Sequence, residues 1–325
     1  INLSREADAI VIAPASADFM AKLIHGKADE LLSLMCLARP IQMVPLILAP
    51  AMNREMWAHP ATQRNVAQLK ADGTHVLDVG QGDQACGETG DGRMLEADEI
   101  VEELHAFWTP KVLLGQHVLI TAGPTYEAID PVRFIGNASS GKMGYALAEA
   151  FAEKGANVTL ISGPTNLKIN HPNINKIAIT SAAEMFEAVK ANFANSAITV
   201  MAAAVADYSP THQSTEKIKK TTDNLQIALS KTIDILQYVG EQKKADQLTI
   251  GFALETTNEL VNAQNKLKSK NADLIILNSL NDEGAGFNVD SNKITMIDKN
   301  GQIEAFELKS KNKVAQDILQ KITQL

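Results

Sequence analysis

The chain has 325 residues, 45% of them hydrophobic and 21% charged, with a formal net charge of −8 and two cysteines. That is enough chain for two hydrophobic cores, and the acidic balance leaves no large basic surface, which argues against nucleic-acid or anionic-membrane partners. No run approaches the ~20 apolar residues of a membrane span and nothing reads as a signal peptide, so the expected compartment is the cytoplasm, with Cys36 and Cys86 as free thiols.

In chain order, 9–13, 45–49 and 74–79 are apolar strand candidates separated by helical stretches, the alternation of an α/β sheet. Ligands in such sheets bind at the carboxyl ends of the strands, and three polar segments fall there. The first is PASAD (14–18). The second is PAMNREMW (50–57), where Asn53 suits a carboxylate or amide, although an asparagine after a strand is more often a turn or cap. Met56 and Trp57 alone are more often core or interface residues than ligand contacts. The third spans 82–94, where Gly82, Gly87, Gly90 and Gly92 surround Cys86 and imply a mobile flap with an accessible thiol near Arg93.

Thr109, Pro110 and Gly115 break the helical pattern that ends near Trp108, so the expected division is 1–108, a linker 109–115, and 116–325. Beyond it, strands are read at 117–121, 157–161, 176–179, 198–203, 248–252 and 273–277, with helices between most of them. Ser181 and Glu184 make a capping box. Segments 293–297 and 302–308 flank an Asn300-Gly301 hairpin turn, and 313–325 closes as an amphipathic helix.

The first crossover of this second part is a strand, a long loop, a helix over 141–154 and a second strand. Its loop, Gly136-Asn-Ala-Ser-Ser-Gly141-Lys142-Met143, nearly matches the G-x-x-x-x-G-K-[ST] pattern. Met143 lacks the hydroxyl that Mg²⁺ needs, and the loop is too long to spring directly from the strand, so a Walker NTPase is disfavoured. An anion held by backbone N–H groups and a helix N-terminus remains.

Asp207 ends VMAAAVAD, whose alanines let a ligand lie against the backbone; its carboxylate suits a ribose hydroxyl or a metal, with a cap or turn as the equal alternative. The segment 216–220 is a basic loop, in most proteins merely solvated, here placed to close over phosphates. Lys266 and Lys270, four apart on a helix over 258–271, share a face where a triphosphate would relieve their repulsion.

The run ITAGPTYEAIDPVRFIGNASSGKMG (120–144) resembles the signature of phosphopantothenate-cysteine ligase, in the bacterial form fused behind phosphopantothenoylcysteine decarboxylase in coenzyme A synthesis. PASAD, PAMNREMW and ACGETGDGRM resemble the decarboxylase half, and the resemblance covers nearly the whole chain. It implies an α/β protein with a partial flavodoxin-like decarboxylase domain, holding FMN, followed by a Rossmann-like ligase domain. In the decarboxylase family the flavin oxidises the substrate thiol to a thioaldehyde and CO₂ leaves. By motif position Cys86 would then protonate the enethiolate, Asn53 would hold the substrate carboxylate, Met56 would lie by substrate and flavin, and Ser16 would belong to the flavin-contact loop. The family's essential histidine would immediately precede Ile1, so the chain is expected to be a fragment whose decarboxylase site is incomplete.

For the ligase half the resemblance implies that CTP activates the carboxylate of 4'-phosphopantothenate as an acyl-cytidylate, which the amine of L-cysteine then attacks. Asn137 would stabilise the acyl-cytidylate, Lys217 would be the flap lysine, Asp207 and Phe252 would border the nucleotide, and Lys266 with Lys270 would hold its phosphates. Ala202, Ala203, Ile233, Asp234, Ile235 and Leu236 would line the pocket. Mg²⁺ is expected with the triphosphate, its protein ligands unidentified, and a homo-oligomer is implied by analogy. Two other readings stand beside this one. A nicotinamide-dependent oxidoreductase lacks a compact G-x-G-x-x-G after the first strand, and a non-catalytic flavoprotein regulatory module is opposed by Cys86 in its glycine flap.

Overall fold

The structure, a computed structural model, describes residues 2–83, 89–219, 225–279 and 289–325. Cys86 lies outside the described residues, as does the end of the basic loop at Lys220. The chain divides into two compact units, Ile1–Thr109 and Pro110–Leu325.

Unit 1 begins with α1 (Asn2–Glu6), β1 (Ile10–Ala15), α2 (Ala17–Ile24), α3 (Leu31–Ala38) and β2 (Leu46–Pro50). It continues through α4 (Arg54–Ala58), α5 (Pro60–Ala71), β3 (His75–Val76), a hairpin of β4 (Gly80–Asp83) and β5 (Thr89–Arg93), and α6 (Ala97–Trp108). β1, β2 and β3 form a parallel sheet in that order. Successive side chains of a strand face opposite ways, so Ile10, Ile12, Leu46 and Leu48 pack with Phe19, Met20 and Leu69, while Ile47 and Ala49 meet Ile100 of α6. The strand expected over 74–79 is only two residues long, though Leu77 N still donates to Leu48 O at 2.9 Å. Cys36 is a buried free thiol, and burial pushes its pKa up.

Unit 2 opens with β6 (His117–Ala122), a small hairpin of β7 (Tyr126–Ala128) and β8 (Phe134–Gly136), α7 (Lys142–Glu153), β9 (Asn157–Ser162) and β10 (Ile174–Ala178). Then come α8 (Ala182–Phe193), β11 (Ile198–Met201), a second hairpin of β12 (Tyr208–Pro210) and β13 (Leu229–Lys231), α9 (Ile235–Gln242), β14 (Leu248–Glu255), α10 (Glu259–Ser269) and β15 (Leu274–Ser279). The end is β16 (Ser291–Asn292), β17 (Ile294–Asp298), β18 (Ile303–Ala305), β19 (Lys309–Ser310) and α11 (Lys311–Ile322).

The main sheet has the order β10-β9-β6-β11-β14-β15-β17-β18, parallel as far as β15 and antiparallel beyond. Strand residues alternate between two cores. Val118, Ile120 and Ile276 pack against α7 and α11, while Leu119, Ile275 and Leu277 pack against α8, α9 and α10. From β6 the chain runs outward to β9 and β10, then returns to the other flank of β6 at β11. Such a reversal leaves a crevice at the carboxyl ends of the strands.

Local chemistry moves several expected boundaries. The strand read over 198–203 stops at Met201, because Ala203 N donates to Thr121 Oγ1 at 3.2 Å and Ala204 bridges Pro124 instead. The helix read over 258–271 is shorter, with Asn258 in the left-handed region at φ 48° before it and Lys270 as its C-cap. The closing helix starts at Lys311, two residues early, because Ser310 accepts from Lys313 N as its N-cap. Within the span expected as a linker, Leu113 is buried and donates to Lys154 O at 3.0 Å, while Lys111 Nζ donates to Glu153 O at 2.7 Å, so these residues are fastened to unit 2.

Candidate functional site

At the reversal point of unit 2 lies a cavity of about 730 Å³. Its walls come from the loop entering α7, the residues after β11, the start of α9 and the ends of β14 and β15. Gly141 starts α7 at φ +80°, and a Cβ there would meet Thr165 Cγ2 at 2.8 Å, so only glycine lets this turn approach the loop after β9. The first turn of α7, Lys142 to Gly144, therefore faces the cavity with the positive end of its dipole.

The structure brings together Asn137, Ala202, Ala203, Asp207, Phe252 and Lys266 from the sequence-derived set. Ile233, Asp234, Ile235 and Leu236 join the same lining. The alanines leave room along the backbone, as their size predicts. Asp207 is exposed, and its carbonyl accepts from Thr232 N at 3.0 Å, joining the two halves of the wall. Asn137 Nδ2 donates to Ala204 O at 3.2 Å and to Val205 O at 3.0 Å, so its amide braces the wall it belongs to.

Lys266 of α10 and Lys270 at its C-cap are not an uncompensated like-charged pair. Lys266 is partly buried and donates to Phe252 O at 2.9 Å; burial lowers its pKa, with Asp234 and Glu255 opposing. Lys270 stands outside the lining, 2.8 Å from Asp234 Oδ2, because its position at the C-cap turns it toward α9. Asp234 in turn caps α9, Oδ1 accepting from Gln237 N at 2.9 Å. Burial alone would raise the Asp234 carboxyl, but Lys270 and the Gln237 N–H outweigh it and hold it low.

Lys217 is exposed and also stands outside the lining. The basic loop is tethered beside it, Ile218 N donating to Asp130 Oδ2 at 3.2 Å and Ser214 N to Ile129 O at 2.9 Å.

Sequence reasoning did not place Lys142, Tyr208, Lys231, Asn278, Asn292 or Lys311 at the site, yet all six line the cavity. Lys142 was visible in the glycine loop; it pairs with Asp290 Oδ1 at 2.6 Å. Lys311 is only 7% exposed and donates to Val289 O; burial, then Lys142, lowers its pKa. Neither Lys311 nor Asn292, whose Nδ2 donates to Asn278 Oδ1 at 3.1 Å, sits in any local pattern that would have marked it.

In unit 1 the polar segments converge at the carboxyl ends of β1 and β2. Ala51 N donates to Ala15 O at 3.0 Å, and Met52 N donates to Gly92 O at 2.9 Å, which sets β5 beside the segment after β2. Ser16 is the N-cap of α2, accepting from Phe19 N at 3.1 Å, and Asn53 is the N-cap of α4, accepting from Met56 N at 3.0 Å. The cap role weighed for Asn53 is thus present, whatever else its amide does. Met56 is exposed. Ser16 follows β1 while Asn53 and Met56 follow β2, so they stand at neighbouring carboxyl ends of one parallel sheet, and the N-terminus of α2 among them suits an anionic group. Among the described residues there is no group of three or more His, Cys, Asp or Glu that could hold a metal, and no helix is long and apolar enough to cross a membrane.

Comparison with known proteins matches residues 1–109 to the flavoprotein family and residues 113–325 to the DNA/pantothenate metabolism flavoprotein C-terminal domain. A relative from an unknown prokaryotic organism, named cysteine/cysteine sulfinic acid decarboxylase, is 48% identical over 100% of this chain and 91% of its own. The coenzyme A biosynthesis bifunctional protein CoaBC of Haemophilus influenzae is 47% identical over 99% of this chain and 79% of its own. The crystal structure of a CoaBC C-terminal domain, 42% identical, matches with a TM-score of 0.55 over 65% of this chain and 95% of that one. The DNA/pantothenate metabolism flavoprotein from Streptococcus pneumoniae, 27% identical, matches with a TM-score of 0.57 over 64% of this chain and 99% of that one.

Proposed function

The chain belongs to the CoaBC family of bifunctional coenzyme A biosynthesis proteins, and on that premise we propose that unit 2 joins 4'-phosphopantothenate to L-cysteine using CTP. It is an enzyme of that family, with a flavoprotein decarboxylase half and a ligase half acting on pantothenate-derived substrates. The observation that supports the finer reading is the cavity at the reversal point of unit 2, where Asn137, Asp207, Phe252 and Lys266 meet the positive end of α7.

A carboxylate is a poor acyl donor until one of its oxygens becomes part of a leaving group. In the first step a carboxylate oxygen of 4'-phosphopantothenate attacks the α-phosphorus of CTP, and the bond to pyrophosphate breaks. In the second the cysteine amine attacks the acyl carbon, the bond to CMP breaks, and the amine proton passes to solvent. The cations needed for the departing charge are Lys266, near the residues assigned to the nucleotide, and Lys217, brought in by its loop. Residues 233–236 and the 202–203 alanines hold the base and ribose by shape, and Lys270 orders the start of α9 through Asp234. Asn137 fixes the wall at residues 204–205 and lies where the acyl-cytidylate forms. Mg²⁺, expected with the triphosphate, would neutralise phosphate charge there, and Asp207 is an exposed carboxylate of the lining that would be available to hold it.

Unit 1 is assigned FMN and its share of the site that decarboxylates the ligase product to 4'-phosphopantetheine. When bound, FMN supplies the reversible two-electron oxidation of the substrate thiol. Ser16 and the start of α2 hold the cofactor, Asn53 orients the substrate carboxylate, Met56 covers the apolar side, and Cys86 returns the proton. A homo-oligomer is proposed for the working enzyme.

The test is pyrophosphate release. With CTP and 4'-phosphopantothenate the protein releases pyrophosphate, and adding L-cysteine yields the amide by mass spectrometry; absence of both rejects the ligase reading. Stabilisation by NAD(P)H and not by CTP in a thermal-shift comparison would favour an oxidoreductase. CO₂ release from free cysteine or cysteine sulfinic acid, in place of phosphopantothenoylcysteine, would give unit 1 the substrates named for the 48% relative.

A further inference from the structure

We propose that Asp130 is a positioning residue for the ligase reaction: it fixes Ile218, and so sets the pivot from which Lys217 reaches the nucleotide. The proposal rests on the ligase reading for the role of Lys217, and on the geometry for the rest.

The Asp130 side chain is 0% exposed, in the turn between β7 and β8. One of its oxygens does what a turn aspartate commonly does. Oδ1 accepts from Val132 N and Arg133 N, both at 2.8 Å. The other oxygen reaches across the fold. Oδ2 accepts from Ile218 N at 3.2 Å, 88 residues along the chain, and from Arg133 Nη1 at 3.1 Å. Arg133 then donates through Nη1 and Nη2 to Ile218 O, at 3.4 Å each. Both backbone groups of Ile218 are therefore held by one carboxylate-guanidinium pair. Burial alone would push the Asp130 carboxyl up, but three backbone N–H donors and Arg133 outweigh it and hold it below its ordinary value, so it stays charged.

A turn alone does not need this charge, since asparagine or serine closes the same local bonds. What the charge adds is the grip on the residue next to Lys217. Lys217 is exposed and outside the cavity lining, so reaching substrate requires its loop to move. A loop fixed at the next residue searches far fewer positions than one free along its length, which raises the fraction of time the ammonium spends over the cavity. The same hairpin leads directly into Asn137, which braces residues 204–205. Asn137 of the cavity and Lys217 outside it thus flank the same hairpin.

The experiment uses the whole chain. In Asp130→Asn, trypsin cleavage after Lys217 and Lys219 should become faster, with a thermal midpoint a few degrees lower and stabilisation by CTP near that of the parent. The kcat for pyrophosphate release should fall about 10–100-fold, the range for a displaced catalytic group. Combined with Lys217→Gln, Asp130→Asn should slow the reaction no further, because it acts through that lysine. Unchanged cleavage overturns the proposal, and so do losses that multiply in the double variant. Parental activity in Lys217→Gln alone rejects the flap reading and the proposal with it, and faster cleavage in Asp130→Asn would then show an anchor without a catalytic purpose. If Asp130→Asn does not fold, Arg133→Gln removes the guanidinium donors to Ile218 O and to Asp130 Oδ2, and the same readouts apply.

Discussion

Unit 2 places its site in a crevice of one large sheet, whereas unit 1 gathers its candidate groups from short segments around a three-stranded sheet. They differ as much in what they bury. Among the described residues, the buried polar side chains of unit 1 are the hydroxyls Ser4, Ser33, Thr62 and Thr74, while unit 2 buries Asp130, Asp273, Asp298, Lys311 and Lys321. A buried charge survives only with partners, so among the described residues unit 2 is organised around buried ionic contacts. Asp273 shows the pattern, with Lys243 at 2.8 Å and Lys299 at 3.0 Å. The lesson is that specific placement of charge, more than core size, distinguishes the unit assigned to chemistry on polyanions.

The comparison is open to sharp tests, because Trp57 and Trp108 both lie in unit 1 and all four tyrosines lie in unit 2. Tryptophan fluorescence follows one unit, and tyrosine near-ultraviolet dichroism the other.

The largest effect is expected from Lys217→Gln, which should lower pyrophosphate release about 10²–10³-fold, the loss typical of a missing transition-state charge partner. Neither spectroscopic midpoint should move, because the residue is exposed. Flavin binding by unit 1 should be untouched, and a matching loss there would break the separation of the units.

Acid should come next. Burial alone would raise the Asp273 carboxyl, but Lys243, the Thr249 N–H and Lys299 outweigh it and hold its pKa below the ordinary value. A carboxyl whose pKa is lower folded than unfolded contributes stability that is present above the unfolded pKa of about 3.9, and that is lost as pH falls through the folded one. Asp298 and Asp130 share the direction. Acid titration below about pH 4 should therefore unfold the tyrosine-reported unit, and a tryptophan signal that collapses first would contradict this.

Gly163→Ala should destabilise unit 2 by about 1–3 kcal/mol, since an added Cβ would fall 1.7 Å from Pro124 O in the ideal position and the two loops must separate. Urea unfolding followed by tyrosine should shift, with the tryptophan midpoint unchanged. The smallest change is Asn53→Ala, where loss of the α4 cap should cost about 1 kcal/mol, read this time by tryptophan. A fall in affinity for phosphopantothenoylcysteine well beyond that stability loss would give Asn53 the substrate contact in addition to the cap.

Much of this protein was legible in local pattern. The apolar, β-branched runs at β6 and β9, the Ser181 and Glu184 capping box, whose Ser181 Oγ accepts from Glu184 N at 3.2 Å, and the alanines after β11 depend on neighbours a few residues away. The glycine at 141 was legible for the same reason, since a left-handed start to a helix is written into one residue type. Only the tertiary structure decided that Lys231, Asn292 and Lys311 complete the cavity, that Lys270 pairs with Asp234, and that Asp130 holds Ile218. Periodicity and capping act over a turn of helix or a pair of strand residues, whereas those contacts exist because strand order returns distant segments to the same sheet edge. No spacing in the chain encodes that distance.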